Sequence, residues 1–290
     1  MWFWFALLSA VVSAVSVILN KRALKNINAS LVSWSLFAFS IPFLAYPALK
    51  DGWPKLNATF FVATILSAVT FAYAKTLSLR SLKNSKLISE IVPLAFFSVL
   101  ISYILGLIFL GEKIKLLPLL GLGLIIVGGY YLKIKESKED ILKPFKIIFI
   151  NKDAFYYLLA MLIMPATSLF DKIGLLNSKP VNQTFYLFWG NILTAVLMTG
   201  YMTRKDKIWI KDLKTNFKVL FINGAVFTLL SLLYLYALTT GALALVSGIK
   251  KLEVLFILLL GWLFFNDRPK KEIWIGSLIM LVGVVLIKLS

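Results

Sequence analysis

Ten apolar runs of roughly 18 to 25 residues, separated by short basic turns, leave this chain few ways to fold. A helix of about 20 apolar residues crosses the roughly 30 Å hydrocarbon layer of a bilayer. No water reaches the backbone there, so helices and closed barrels are the structures that span it. The runs cover about Trp2–Asn20, Leu31–Leu49, Asn57–Leu79, Leu87–Leu110, Leu116–Leu132, Ala154–Phe170, Gln183–Met202, Val219–Leu238, Gly241–Arg268 and Ile273–Ile287. They predict an all-α membrane protein of ten transmembrane helices. With 60% hydrophobic residues, the 290-residue chain has more apolar surface than a soluble core of its size hides. The first run has no basic leader and no A-x-A-like cleavage site, so it reads as a permanent span.

The residues the chain lacks narrow its chemistry. It has no cysteine and no histidine, which removes disulfides, thiolate chemistry, histidine metal sites and imidazole acid/base catalysis. No cofactor is expected. The net charge of +18 comes from lysines in the connections rather than along one soluble face, which points to membrane lipids and not to nucleic acid as its partner. About 21 Lys and Arg follow the odd-numbered spans and about 7 lie on the other side. The positive-inside rule then puts the odd connections in the cytoplasm and both termini outside the cell membrane.

The ninth run, GALALVSGIKKLEVLFILLLGWLFFNDR, carries Lys250, Lys251 and Glu253 about eight to ten residues in, near the expected midplane. Charges at that depth face a bundle interior or a water-filled cavity. Lys250 and Glu253, three apart, share a helical face and can neutralise each other. Lys251 has Ser247, Gly248, Val254 and Leu255 at i±3 and i±4, so one positive charge is left in excess.

The second half of the chain repeats the first. A gapless shift of 155 residues lays Gly111–Ile134 over Asn266–Leu289 and matches Lys115, Gly121, Val127, Gly128 and Lys133 to Lys270, Gly276, Val282, Gly283 and Lys288. Asn20-Lys21 and Asp171-Lys172 match at a slightly different shift. The reading is a five-helix repeat at 1–134, a basic linker at 135–152 and a second five-helix repeat at 153–290. Five is odd, so the second repeat enters the membrane from the opposite face, which makes it an inverted repeat of the kind that serves alternating access.

On these residues the whole chain resembles the EamA-type, ten-helix members of the drug/metabolite transporter superfamily. The resemblance is carried by FLGEK (Phe109–Lys113) with GLGLIIVGGYYL (Gly121–Leu132) and by the degraded copies FFNDR (Phe264–Arg268) and GSLIMLVGVVLI (Gly276–Ile287). SLKNSKLISEIVPL (Ser81–Leu94) and YALTTGALALVSGI (Tyr236–Ile249) resemble the family's paired helix starts. The resemblance implies a secondary transporter of amino acids, other metabolites, nucleotide-linked sugars or drugs, with termini more often inside. The chain departs from the family at Asn266, where Gly is usual, and at Lys250-Lys251, where the stretch is normally apolar.

Other charged and aromatic positions each have two readings. Lys21 and Lys172, at span ends beside Asn20 and Asp171, either snorkel or face the cavity. Lys75, within about one turn of the third span's end, has the same two readings. Glu90 either pairs with Lys86 four residues earlier or serves the site. Glu112-Lys113 reads as a turn and headgroup anchor. Trp34, Tyr73, Trp189 and Tyr236 are cavity aromatics or packing residues.

The expected function is a secondary transporter of a small anionic or zwitterionic metabolite such as an amino acid. A lipid or lipid-linked sugar flippase is the alternative. An intramembrane enzyme is disfavoured, since no paired aspartates or phosphate-binding loop are placed for chemistry. Nothing resembles a channel filter, and no GxxxxGK[ST] motif is present for ATP drive. Oligomeric state is not legible, and a monomer is compatible with the sequence.

Overall fold

The computed structural model describes the chain apart from residues 51, 85–91, 138–145, 147–148, 206–208, 266–270 and 290. Its helices are α1 (Trp2–Ala23), α2 (Ala29–Ala38), α3 (Ile41–Leu49), α4 (Ala58–Asn84), α5 (Ser98–Leu110, after a 3₁₀ turn at Val92–Phe97), α6 (Leu116–Ser137), α7 (Lys152–Leu176), α8 (Gln183–Lys205), α9 (Trp209–Thr215), α10 (Phe217–Thr240), α11 (Leu243–Lys250), α12 (Glu253–Phe265) and α13 (Lys271–Lys288). Two two-residue strands, β1 (Lys55–Leu56) and β2 (Ser178–Lys179), pair antiparallel. Among the described residues, six segments are long and apolar enough to cross a membrane: Trp2–Ala23, Ala29–Leu49, Ala58–Ser81, Lys152–Leu176, Gln183–Arg204 and Phe217–Thr240. Ala95–Leu110, Leu116–Leu132 and Trp274–Lys288 are shorter and equally apolar. Apolar side chains such as Trp4, Phe61, Val62, Ile108, Val196 and Leu278 are exposed around the bundle, as a lipid-facing surface requires.

Three expected boundaries need correction, and each moves a charge. The sixth run does not stop at Phe170, because α7 continues to Leu176 and carries Asp171 and Lys172 inside it. The third run does not stop at Leu79. Lys75 therefore lies nine residues before the end of α4, a rise of about 13 Å, and not one turn from it. The ninth run is not one helix: α11 ends at Lys250 and α12 begins at Glu253. Through that break the backbone tightens to i→i−3 bonds, with Lys251 N–H donating to Gly248 O at 3.1 Å and Leu252 N–H to Ile249 O at 3.0 Å. The first linker residues also belong to α6, which runs to Ser137.

Proline explains two other breaks. Pro42 sits at the start of α3, where its missing N–H needs no partner, and the chain turns at Phe39-Ser40 just before it. Pro93 lies in the 3₁₀ turn Val92–Phe97.

Small residues set the closest helix contacts. α6 packs along α13, α4 along α7, and α1 along α10. A Cβ added at Gly121 would fall 2.5 Å from the carbonyl oxygen of Gly283, and one at Gly128 would fall 2.8 Å from that of Gly276. Since 121 meets 283 and 128 meets 276, α6 and α13 run antiparallel at backbone contact, which only glycine permits there. Gly123, between them on α6, has nothing within 4 Å of its Cβ position.

Both chain termini lie at one end of the bundle. Lys288 Nζ stands 4.7 Å over the Trp4 ring, and Trp2 approaches Gly241. The strand pair lies at this terminal end too, where the Asn57 side chain donates to Asn177 Oδ1 at 2.7 Å. At the opposite, basic end, Lys83 Nζ donates to Ile27 O at 2.9 Å. A cleft of about 420 Å³ opens there between α2, α4, α8 and α9, lined by Asn28, Thr76, Arg80, Asn84, Tyr201 and Trp209 among others.

Candidate functional site

The charges of the broken segment face the bundle interior and meet others there. Glu253, the first residue of α12, accepts a hydrogen bond from Ser13 Oγ of α1. Lys250 Nζ stands 4.3 Å over the ring of Tyr234 on α10, a cation–π contact, and Tyr234 Oη donates to Ser168 Oγ of α7 at 2.9 Å. Lys251 Nζ lies 6.0 Å from the centroid of Phe96 in the Val92–Phe97 turn, so the α11–α12 break faces that turn. Asp171 of α7 accepts from Ser67 Oγ of α4 and from Tyr186 Oη of α8 at 3.0 Å.

These groups form one electrostatic cluster. Lys250 lies within Coulomb range of Glu253 and Asp171, and Lys251 within range of Glu253 and Lys250. Lys75 is within range of Lys250 and Glu253, and the Tyr157 hydroxyl within range of Glu253. Among the described residues no ion pair joins any of these lysines to Asp171 or Glu253. Buried side-chain N and O atoms left without a partner are Trp189 Nε1 and Asn223 Oδ1. Among the described residues the lysine ammonium groups of the cluster have no hydrogen-bond partner either, and they are not among those fully buried atoms, so they border open space. Three lysines and two carboxylates around that space leave one positive charge in excess when all are ionised.

The remaining expected site residues divide. Lys172 neither snorkels nor reaches the cluster. It is 7% exposed, its Nζ pairs with Glu112 Oε1 at 2.5 Å, and it donates to Gly241 O at 2.6 Å. Glu112 is therefore no headgroup anchor, for its other oxygen accepts from Leu243 N–H, the first residue of α11, at 2.7 Å. Gly106 makes the room: a Cβ there would fall 2.6 Å from Glu112 Oε2.

Lys21 is exposed in the last turn of α1. Asn20 is buried between α1 and α10, donating to Ser16 Oγ at 3.4 Å and accepting from Asn223 Nδ2 at 3.5 Å. Tyr73 is 55% exposed and Tyr236, 38% exposed, stacks on Phe5, so both cover the outside of the bundle and do not line a cavity. Trp34 is a packing residue, its Nε1 donating to Thr199 Oγ1 at 2.8 Å and its ring against Trp209. Trp189 packs among Trp53, Phe185 and Phe188. Glu90, with Lys86, lies outside the described residues, as do Asn266, Asp267 and Arg268.

Sequence reasoning missed Asp171, together with Ser13, Ser67, Tyr157, Tyr186 and Tyr234. A signal existed for Asp171: the apolar residues Ile173, Leu175 and Leu176 continue the run beyond Asp171-Lys172 until Asn177. Adjacent helical residues point about 100° apart, which sends Asp171 to the cluster and Lys172 to Glu112.

Apolar helices around a charged interior space define a multi-pass helical membrane protein. The chain belongs to the EamA-like transporter family, whose model matches residues 1–132 and 151–289. A relative from Rickettsia bellii (strain RML369-C), named as an S-adenosylmethionine uptake transporter, is 23% identical over 293 residues, covering 98% of this chain and 91% of that protein. A protein of known crystal structure superposes with a TM-score of 0.70 at 13% identity, covering 99% of this chain and 95% of its own, a likeness of fold. Family and relative point to a membrane transporter of a small molecule rather than an enzyme.

Proposed function

We propose that the chain is a secondary transporter that moves a small anionic or zwitterionic metabolite, such as an amino acid, across the cell membrane by alternating access. The observation that carries this reading is the charge cluster, without ion pairs among the described residues, at the α11–α12 break and the Val92–Phe97 turn. Discontinuous helices and charges at membrane depth are what substrate sites of secondary transporters are built from. S-adenosylmethionine, in the name of the Rickettsia relative, carries an amino-acid zwitterion together with a sulfonium cation.

Ten spans arranged as two inverted five-helix repeats, 1–134 and 153–290 about the linker, fit the reading. The 155-residue shift relates Gly121 to Gly276 and Gly128 to Gly283, and the contacts run crosswise, Gly121 to Gly283 and Gly128 to Gly276. The same shift relates Phe96 to Lys251, and these two face each other. Such crosswise pairs are what a two-fold axis between the halves produces. The contact of α1 with α10 and that of α4 with α7 exchange under the same operation.

Purified chain reconstituted into liposomes should accumulate a water-soluble amino acid or S-adenosylmethionine. Absence of uptake beside active flipping of a labelled lipid would replace this reading with a flippase. The lysine and arginine bias places the basic end in the cytoplasm and both termini outside. With no native cysteine to interfere, Ser137→Cys should react with an impermeant maleimide from the cytoplasmic side and Ser290→Cys from outside. Labelling of Ser290→Cys from the cytoplasm alone reverses the orientation.

A further inference from the structure

We infer that Asp171 is the cation-binding pole of the transport site, opposite the lysine pole at Lys250, and that the substrate is a zwitterion bearing both an ammonium-type cation and a carboxylate. This rests on the cluster being the transport site and narrows the substrate class to exclude plain anions.

The two oxygens of Asp171 are in different situations. Oδ1 is taken, accepting from Ser67 Oγ and from Tyr186 Oη. Oδ2 has no partner among the described residues, and it is not one of the buried unpartnered atoms, so it borders open space. Ser67 on α4 and Tyr186 on α8 hold the carboxylate from two other helices, which fixes where that free oxygen points.

Lys250 is the complement. Its Nζ is held over the Tyr234 ring with no hydrogen-bond acceptor among the described residues, and Tyr234 is itself pinned by Ser168. Tyr234 also lies within Coulomb range of Asp171. Lys250 and Asp171 are close enough to interact, yet no ion pair joins them.

Half-buried charges left apart in this way are costly unless a third group completes both. A plain anion would satisfy the lysines and be repelled by Asp171 and Glu253. A plain cation would meet the reverse. A ligand carrying the two charges a few bonds apart satisfies both poles at once, with the Tyr234 ring as an apolar surface beside Lys250.

The test is uptake by the full chain in liposomes. The panel is the twenty L-amino acids and S-adenosylmethionine, each amino acid matched with its N-acetyl derivative, which lacks the cation, and with succinate as a plain dianion. The expected result is uptake of at least one zwitterion, with its N-acetyl derivative competing about 10- to 100-fold more weakly, the scale of one charged hydrogen bond. In Asp171→Asn, which keeps an acceptor for Ser67 and Tyr186, affinity for the zwitterion falls while that for the N-acetyl derivative, no longer repelled by the carboxylate, rises, so the discrimination between them is lost. If Asp171→Asn does not fold, the wild-type discrimination between zwitterion and N-acetyl derivative decides.

Equal uptake of N-acetyl derivatives or succinate by the wild type overturns the inference and leaves the transporter standing. Asp171→Asn that keeps its discrimination but loses dependence on a proton gradient overturns it too, since Asp171 is then a coupling group. No uptake of any panel member sinks the functional reading and the inference with it.

Discussion

Lys172→Met lowers the stability of the folded chain by about 3–5 kcal/mol, the scale seen when one partner of a buried ion pair is removed and the other is left behind. The Lys172 side chain is 9% exposed and that of Glu112 14%, so water compensates little of the lost pairing. Glu112 would keep the Leu243 N–H but lose its only cation, and Gly241 O would lose its donor. Removing both charges together, in Glu112→Gln with Lys172→Met, costs less than the sum of the single changes because no charge is stranded. Unfolding in a mixed-micelle denaturant series measures all three variants. Single substitutions within about 0.5 kcal/mol of wild type, with no coupling between them, would show that the pair is decorative. The network joins α7 and the α10–α11 turn to the α5–α6 connection at the terminal end, so loosening it should also raise the reactivity of cysteines placed just beneath it.

Lys251→Met weakens substrate binding about ten- to a hundredfold while leaving the fold intact, because the substitution keeps length and apolar stem and removes only the charge. Lys251 sits in the break between α11 and α12, facing Phe96, with Lys250 and Glu253 within Coulomb range. No carboxylate pairs with it among the described residues, so its charge is available to an anionic group of the substrate. Competition uptake in liposomes reads the effect. Normal transport by Lys251→Met beside failure of Lys250→Met assigns the anion contact to Lys250. Normal transport by both makes the broken segment structural.

The environment was legible before any coordinates. Apolar runs long enough for a bilayer admit only helices when backbone groups have no water to turn to, and every described long element is helical. The charged segment was legible for the same reason: lysines and a glutamate deep in an apolar run cannot face lipid. The glycines matched by the repeat, Gly121 and Gly128 with Gly276 and Gly283, lie at a close helix contact, since a residue without a side chain matters most where backbones touch.

Pairing was decided by the tertiary structure alone. Whether a helix ends at Phe170 or at Leu176 depends on whether Asp171 and Lys172 find partners inside the bundle, and those partners are Ser67 and Tyr186 for one and Glu112 for the other, all far away in sequence. Glu112, Lys172 and Lys75 have side chains that read alike as snorkelling anchors or interior charges. Only the neighbours brought by other helices distinguish the two. Tyr73 and Trp34 likewise share one helical spacing with lipid-facing and interior positions, and packing alone sent the first outward and the second against Thr199. Local sequence determines that a segment is a helix and that a buried charge needs a counterpart. Which residue answers that need is a property of three-dimensional approach, and the sequence carries no local mark of it.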